Sequence, residues 1–161
     1  MTYKISMDIF SKLVTIGITV LYASIVIGHY SISGHVETTA PIITMIFFLI
    51  IYFLAFAFRP IKYEISETQL IVRRLLLDVK IYRNQIEKVE LLDKEKVSKS
   101  IRIFGVGGLF GYYGKFANSR LGNMSWYATR KDKIVLVTTR KNRKIILTPD
   151  EPETFVSNLK I

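Results

Sequence analysis

At 161 residues, with a formal charge of +10 and no cysteine, the chain has room for two short spans and one ordinary domain. Disulfides, thiolate metal sites and cysteine nucleophiles are excluded. Up to Phe58, Lys4 and Lys12 balance Asp8 and Glu37, so the whole positive excess lies on 59–161 and favours anionic partners.

A short N-terminal segment, 1–12, comes first. Leu13–Tyr30 and Pro41–Phe58 follow, each 18 residues long and free of Asp, Glu, Lys and Arg. At ~1.5 Å per residue each covers ~27 Å, close to the hydrocarbon thickness of a bilayer. The second carries Phe47, Phe48, Phe53 and Phe56 on different faces, which an amphipathic helix of a soluble core would not do. The pair reads as a transmembrane hairpin joined by an external loop, 31–40, that holds no Lys or Arg. Lys4, Lys12, Arg59 and Lys62 flank the spans on the other side. The positive-inside rule therefore puts both termini and the soluble part in the cytoplasm of a bacterial inner membrane. A cleaved signal peptide over the first segment is the alternative, and it leaves the soluble part on the same side. Within the first span, Gly17, Ser24 and Gly28 share a face of small residues suited to close helix packing, within the hairpin or between chains.

After Pro60 the pattern changes to short runs rich in Val, Ile, Tyr and Thr with polar punctuation. Seven strands are expected: Lys62–Ser66, Gln69–Arg74, Leu77–Arg83, Ile86–Leu92, Asn123–Arg130, Lys133–Thr139 and Arg143–Thr148. Asp150 is placed to cap a final helix, with Glu153 completing a capping box and Phe155, Val156 and Leu159 forming its apolar stripe. Seven strands and one amphipathic helix are the order of a mainly β, pleckstrin-homology-like barrel closed by its C-terminal helix. The domain is expected over 59–161.

The run FGVGGLFGYYGKFANSRLGNMSWYATRKDKIVLV, from Phe104, and the later KIILTPDEPETFVSNLK resemble the membrane-anchored bacterial pleckstrin-homology-like proteins. That resemblance implies two N-terminal spans, a PH-like domain and a membrane setting, and it implies no particular activity. Phosphoinositide-binding relatives carry a basic cluster across the first hairpin. Here that turn is Ser66-Glu67-Thr68-Gln69, and the adjacent Arg73 and Arg74 point to opposite faces of a strand, so inositol-phosphate binding is not carried over.

The glycines at 105, 107, 108, 111, 114 and 122 match no nucleotide loop. A Walker loop needs glycine in place of Leu109 and Ser or Thr in place of Phe116; a dinucleotide fingerprint needs glycine in place of Phe110. What remains is glycine interleaved with Phe104, Leu109, Phe110, Tyr112, Tyr113 and Phe116. This is either a loop folding its aromatics under the domain, a wedge in the headgroup region, or a protein-binding surface.

Two basic turns, Arg130-Lys131 with Lys133 and Arg140-Lys141 with Arg143-Lys144, read as solvated turns or as contacts to acidic lipid, each cation gaining roughly 1 kcal/mol near an anionic surface. Nucleic acid is not an expected partner, because no binding module matches. The soluble part has no histidine, which removes the commonest general base. His29, His35 and Glu37 fit no standard metal spacing, and no cofactor is expected. The reading is therefore non-enzymatic: a membrane-anchored binding or scaffold module with a protein partner. The alternative is an accessory or regulatory subunit of a transporter or envelope-stress complex, contacting it through the hairpin.

Overall fold

A short strand, two long helices, Ile9–Ile32 (α1) and Thr39–Phe58 (α2), then nine more strands and two further helices follow one another in the computed structural model, which describes residues 1–32 and 39–159. Residues 33–38, with His35 and Glu37, lie outside the described residues. The strands are Thr2–Lys4 (β1), Pro60–Ile65 (β2), Gln69–Arg74 (β3), Val79–Tyr82 (β4), Ile86–Leu92 (β5), Ile101–Gly108 (β6), Gly111–Asn118 (β7), Gly122–Ala128 (β8), Ile134–Thr139 (β9) and Lys144–Leu147 (β10). A one-turn helix, Lys94–Val97 (α3), joins β5 to β6, and Pro152–Leu159 (α4) closes the order.

Each helix is long and apolar enough to cross a membrane, with mean hydropathy 1.9 over Ile9–His29 and 2.6 over Pro41–Phe58. Only 6% and 11% of these windows are buried, whereas a soluble protein's core helix would be mostly covered. α1 begins at Ile9, four residues before the first uncharged stretch. Asp8 sets that start: its Oδ1 accepts the Ser11 N–H at 2.7 Å, as an N-cap residue does, and its carbonyl accepts the Lys12 N–H.

The strands form two sheets, ordered β1-β2-β3-β4 and β5-β9-β10-β8-β7-β6, and these are not closed into a barrel. The expected barrel is thus corrected to two sheets packed together, and seven strands become ten. The N-terminal segment is no tail. Thr2, Tyr3 and Lys4 pair antiparallel with Glu64, Tyr63 and Lys62, and the Asp150 N–H donates to the Lys4 carbonyl. The expected strand from Leu77 starts only at Val79, because Leu75–Leu77 form bends with Leu77 at φ 57°. The helix after Asp150 starts at Pro152, a favoured first position. The Asp150 carboxylate does not serve as its cap; Oδ1 accepts instead from the Ser6 N–H, the Ser6 hydroxyl and Arg130 Nη1.

One apolar core lies between the sheets and under α4, built from Tyr3, Tyr63, Leu70, Val72, Val135, Val137, Leu147 and Phe155 among others. A second occupies the opposite face of the larger sheet, with Trp126, Met124, Phe116, Leu136 and Ile146. Successive residues of β9 alternate between the two cores, which explains why IVLV is apolar without a polar alternate. β5 and β6 are opposite edges of this sheet, ~24 Å apart if it were flat at ~4.8 Å per strand. Residues 93–100 nevertheless join them, and the Asn118 amide reaches the Lys96 carbonyl, so the sheet must curl around the second core.

Candidate functional site

The glycine-aromatic run is a β-hairpin. β6 and β7 pair from Ile101↔Ala117 to Gly108↔Gly111 around a two-residue turn, Leu109-Phe110. Its glycines are mirrored about that turn: Gly105 pairs with Gly114 and Gly108 with Gly111. Gly105 (φ 107°) and Gly114 (φ 127°) lie so close that a Cβ on either would fall on the other strand's backbone. The symmetry was visible in the sequence, but glycine's low strand preference hid it.

The hairpin tip is docked between the two long helices. Gly108 accepts the Ser11 hydroxyl at its carbonyl at 2.7 Å, and the Phe110 N–H donates to Thr15 Oγ1 at 2.9 Å. The Phe110 ring meets Tyr52 and Phe56 of α2 edge-on at 5.2 and 5.4 Å. Arg59 lies over the Phe56 ring, 4.3 Å from its centroid. Tyr113 donates its hydroxyl to the Ala55 carbonyl, and burial pushes that phenol's pKa up. On the other flank Tyr112 donates to the Asp8 carboxylate, and burial together with that negative charge raises its pKa as well. Phe110 keeps φ 58°, a conformation that costs a bulky residue about 1 kcal/mol or more, so its neighbours must hold it there.

The six aromatic-loop candidates therefore divide. Phe110, Tyr112, Tyr113 and Phe116 are buried, Leu109 is half-buried, and Phe104 is 76% exposed on edge strand β6. Phe116 stacks on Trp126 at 4.7 Å inside the second core. The run is a joint between helices and sheet, with only Phe104 left as an open surface.

The basic turns divide too. Arg130 is fixed by Asp132 at 2.6 Å and Asp150 at 3.2 Å, and this guanidinium holds the Asp132 carboxyl below the usual carboxylate range. Lys133 Nζ donates to the Asp150 carbonyl, and Lys131 sits over the Tyr112 ring at 4.7 Å. Arg140, Lys141 and Arg143 are exposed at the other end of β9, ~20 Å away by strand rise, and Lys144 reaches back to the Leu121 carbonyl. The two turns do not form one basic face. Gly17 and Gly28 have nothing within 4 Å of where a Cβ would stand, and the Ser24 hydroxyl returns to the Val20 carbonyl. α1 meets α2 instead through Thr19 with Tyr52 and through Tyr22 with the Met45 carbonyl.

Two surfaces escaped the sequence reading. Edge strand β5 and Val156 of α4 bound a groove of about 520 Å³, lined from Ile86 to Leu91. A second, more apolar cleft of about 650 Å³ lies where α2 meets the hairpin, with Arg74 and Lys115 among its lining residues. Neither carries a motif, because each is assembled from elements distant in the chain. Among the described residues, no three His, Asp or Glu side chains stand together to share a metal ion.

No curated protein and no solved structure matches the chain. A family model described as the bacterial PH domain matches residues 61–161, which cover the nine strands and two helices after the long pair, apart from the first residue of β2. The chain belongs to the bacterial PH domain family.

Proposed function

We propose that this protein is a non-enzymatic, membrane-anchored binding module that offers the free β5 edge of its PH domain to an extended segment of a partner protein. α1 and α2 are the anchor, and the domain stands on the cytoplasmic face. One observation carries the reading: the β6–β7 tip is locked between two apolar helices, while the β5 groove is lined by no residue of either helix. The domain is thus held in one attitude with an unpaired sheet edge left open. An added strand gains main-chain hydrogen bonds from β5, and side-chain pockets beside α4 supply selectivity. Lys88 and Glu90, ion-paired at 2.6 Å on this edge, leave it nearly neutral, so the partner segment need not be acidic.

The test is site-specific photocrosslinking in intact cells, with benzoylphenylalanine at Glu87 or at Leu91, both exposed on β5, and at Arg120 as the control. Adducts are expected from the two β5 positions and not from Arg120. Adducts arising only from positions on α1 or α2 would replace this reading with that of an accessory subunit held through the hairpin.

A further inference from the structure

Arg74 makes no ion pair among the described residues. Its Nη2 donates to the Leu77 carbonyl, its Nε is buried with no acceptor, and among the described residues no carboxylate lies within ion-pair distance. Asp78, the nearest acid in sequence, spends its side chain on Arg73 and on the Arg74 backbone N–H. The guanidinium is flanked instead by the Phe58 and Tyr127 rings at 5.4 and 5.8 Å. The guanidinium is only half-buried, so its outer N–H groups remain open to an anion, which would add charge-assisted hydrogen bonds.

Arg74 lines the 650 Å³ cleft between α2 and the hairpin. The cleft's other cation, Lys115, has the neutral Ser125 hydroxyl as its partner among the described residues, at 2.7 Å, and the lining contains no acidic residue. The remaining wall is apolar, with Ile51, Leu54 and Phe58 on one side and Val106 on the other. The Gly105–Gly114 pair forms part of the lining, and it adds no side chain to fill the space. Along α2 the cleft runs from Ile51 to Phe58, ~10 Å by helix rise, at the end of the span. If that span crosses the bilayer, this is the depth at which chains meet headgroups.

We propose that the cleft holds one anionic phospholipid of the cytoplasmic leaflet, its phosphate on Arg74 and Lys115 and the upper part of an acyl chain along Ile51, Leu54 and Val106. Two cations without carboxylate partners select the charge, and the apolar wall selects a chain. A soluble phosphate would leave the wall exposed, and a zwitterionic lipid would bring a cation to a site that already has two. Arg and phosphate suit each other geometrically, since two N–H donors can meet two oxygens. This inference rests on the membrane-anchored reading and gives that anchor a lipid preference. The ligand lies at the junction, away from the first-hairpin turn at Ser66–Gln69.

Delipidated full-length protein in neutral detergent is mixed with equimolar dioleoylphosphatidylglycerol and dioleoylphosphatidylcholine, and retained lipid is read by native mass spectrometry. One phosphatidylglycerol per chain is expected. The Arg74→Gln/Lys115→Gln double variant should lose that preference by about tenfold or more, as expected for lost charge-assisted bonds. Val106→Phe, which fills the cleft without changing charge, should lower retention as well. Arg140→Gln/Lys141→Gln, at the far turn, should change nothing. Glycerol 3-phosphate, a headgroup without chains, should not displace the lipid.

Equal retention of the two lipids by the wild type would overturn the proposal. So would displacement by glycerol 3-phosphate, or full retention by Val106→Phe. Should the Arg74 variant fail to fold, Lys115→Gln and Val106→Phe decide. Alkaline carbonate extraction separates the two readings. Protein released to the soluble fraction overturns the anchor, whereas membrane-retained protein without lipid preference overturns only the cleft ligand.

Discussion

Gly105 and Gly114 face each other across the β6–β7 hairpin, each at a φ that favours glycine and each with the opposite backbone where a Cβ would stand. Neither strand can retreat, because β7 is paired with β8 and the hairpin tip is pinned between helices. Gly114→Ala should therefore destabilise the protein by about 2 kcal/mol or more, read as a lowered melting temperature in detergent. Gly122, also at positive φ but with nothing within 4 Å, should tolerate alanine at about 1 kcal/mol. Titration gives a second residue-scale prediction. Asp132 has its pKa lowered by Arg130, so its contribution is fully present above the ordinary carboxylate pKa and is lost as pH falls through the lowered value. Asp78, lowered by the Arg74 backbone N–H and Arg73, adds the same dependence. Melting temperature should drop below about pH 4, and Arg130→Gln should flatten that drop. At this scale the sequence was legible where chemistry is local. Arg73 and Arg74 do point apart, one to Glu64 and Asp78 and the other to the cleft. The unsatisfied state of Arg74 was not legible, since it depends on Phe58 and Tyr127 arriving from elsewhere.

Among the elements, β1 is the one whose role differs most from its appearance. TYK is too short to read as a strand, yet Tyr3 is buried, meets Phe155 edge-on at 4.9 Å, and accepts the Asn158 amide at 2.7 Å. It thereby ties the start of the chain to α4. Tyr3→Ala should cost about 3 kcal/mol, the usual range for truncating a buried aromatic, with the loss seen in thermal melting. A fragment beginning at Arg59 loses this strand and also Asp8, so it should melt well below the full chain even though it spans the whole family match. The β-rich runs with alternating or continuous apolar residues were readable, and β2, β3, β5, β8, β9 and β10 lie where their patterns place them. β6 and β7 were not, because glycine dilutes strand propensity and their aromatics serve three different surroundings. The expected barrel failed for a related reason: closure depends on whether edge strands meet, which no single strand's pattern records.

For the whole molecule the question is whether the domain swings on the helix pair or stands fixed. Only Arg59 separates α2 from β2, and the Leu76 N–H donates to the Ala57 carbonyl, so the chain link itself is short and bonded. The hairpin tip adds two aromatic contacts to α2, worth about 0.5–1.5 kcal/mol each beyond area, and two hydrogen bonds to α1 at about 1 kcal/mol each. Asp8 joins the same junction through Tyr112 and the Lys131 N–H. Several kcal/mol against a thermal energy of about 0.6 kcal/mol at room temperature leaves one orientation dominant. The chain has no cysteine, so spin labels can be placed at Ile46 on α2 and Lys141 at the far turn without background. Their distance distribution should be narrow in the wild type. Phe110→Ala removes both aromatic contacts while leaving the two β cores intact, and it should broaden the distribution with little change in β-sheet circular dichroism. A distribution already broad in the wild type would mean the domain is tethered rather than seated, and the β5 edge would then sample many orientations relative to α1 and α2 instead of one.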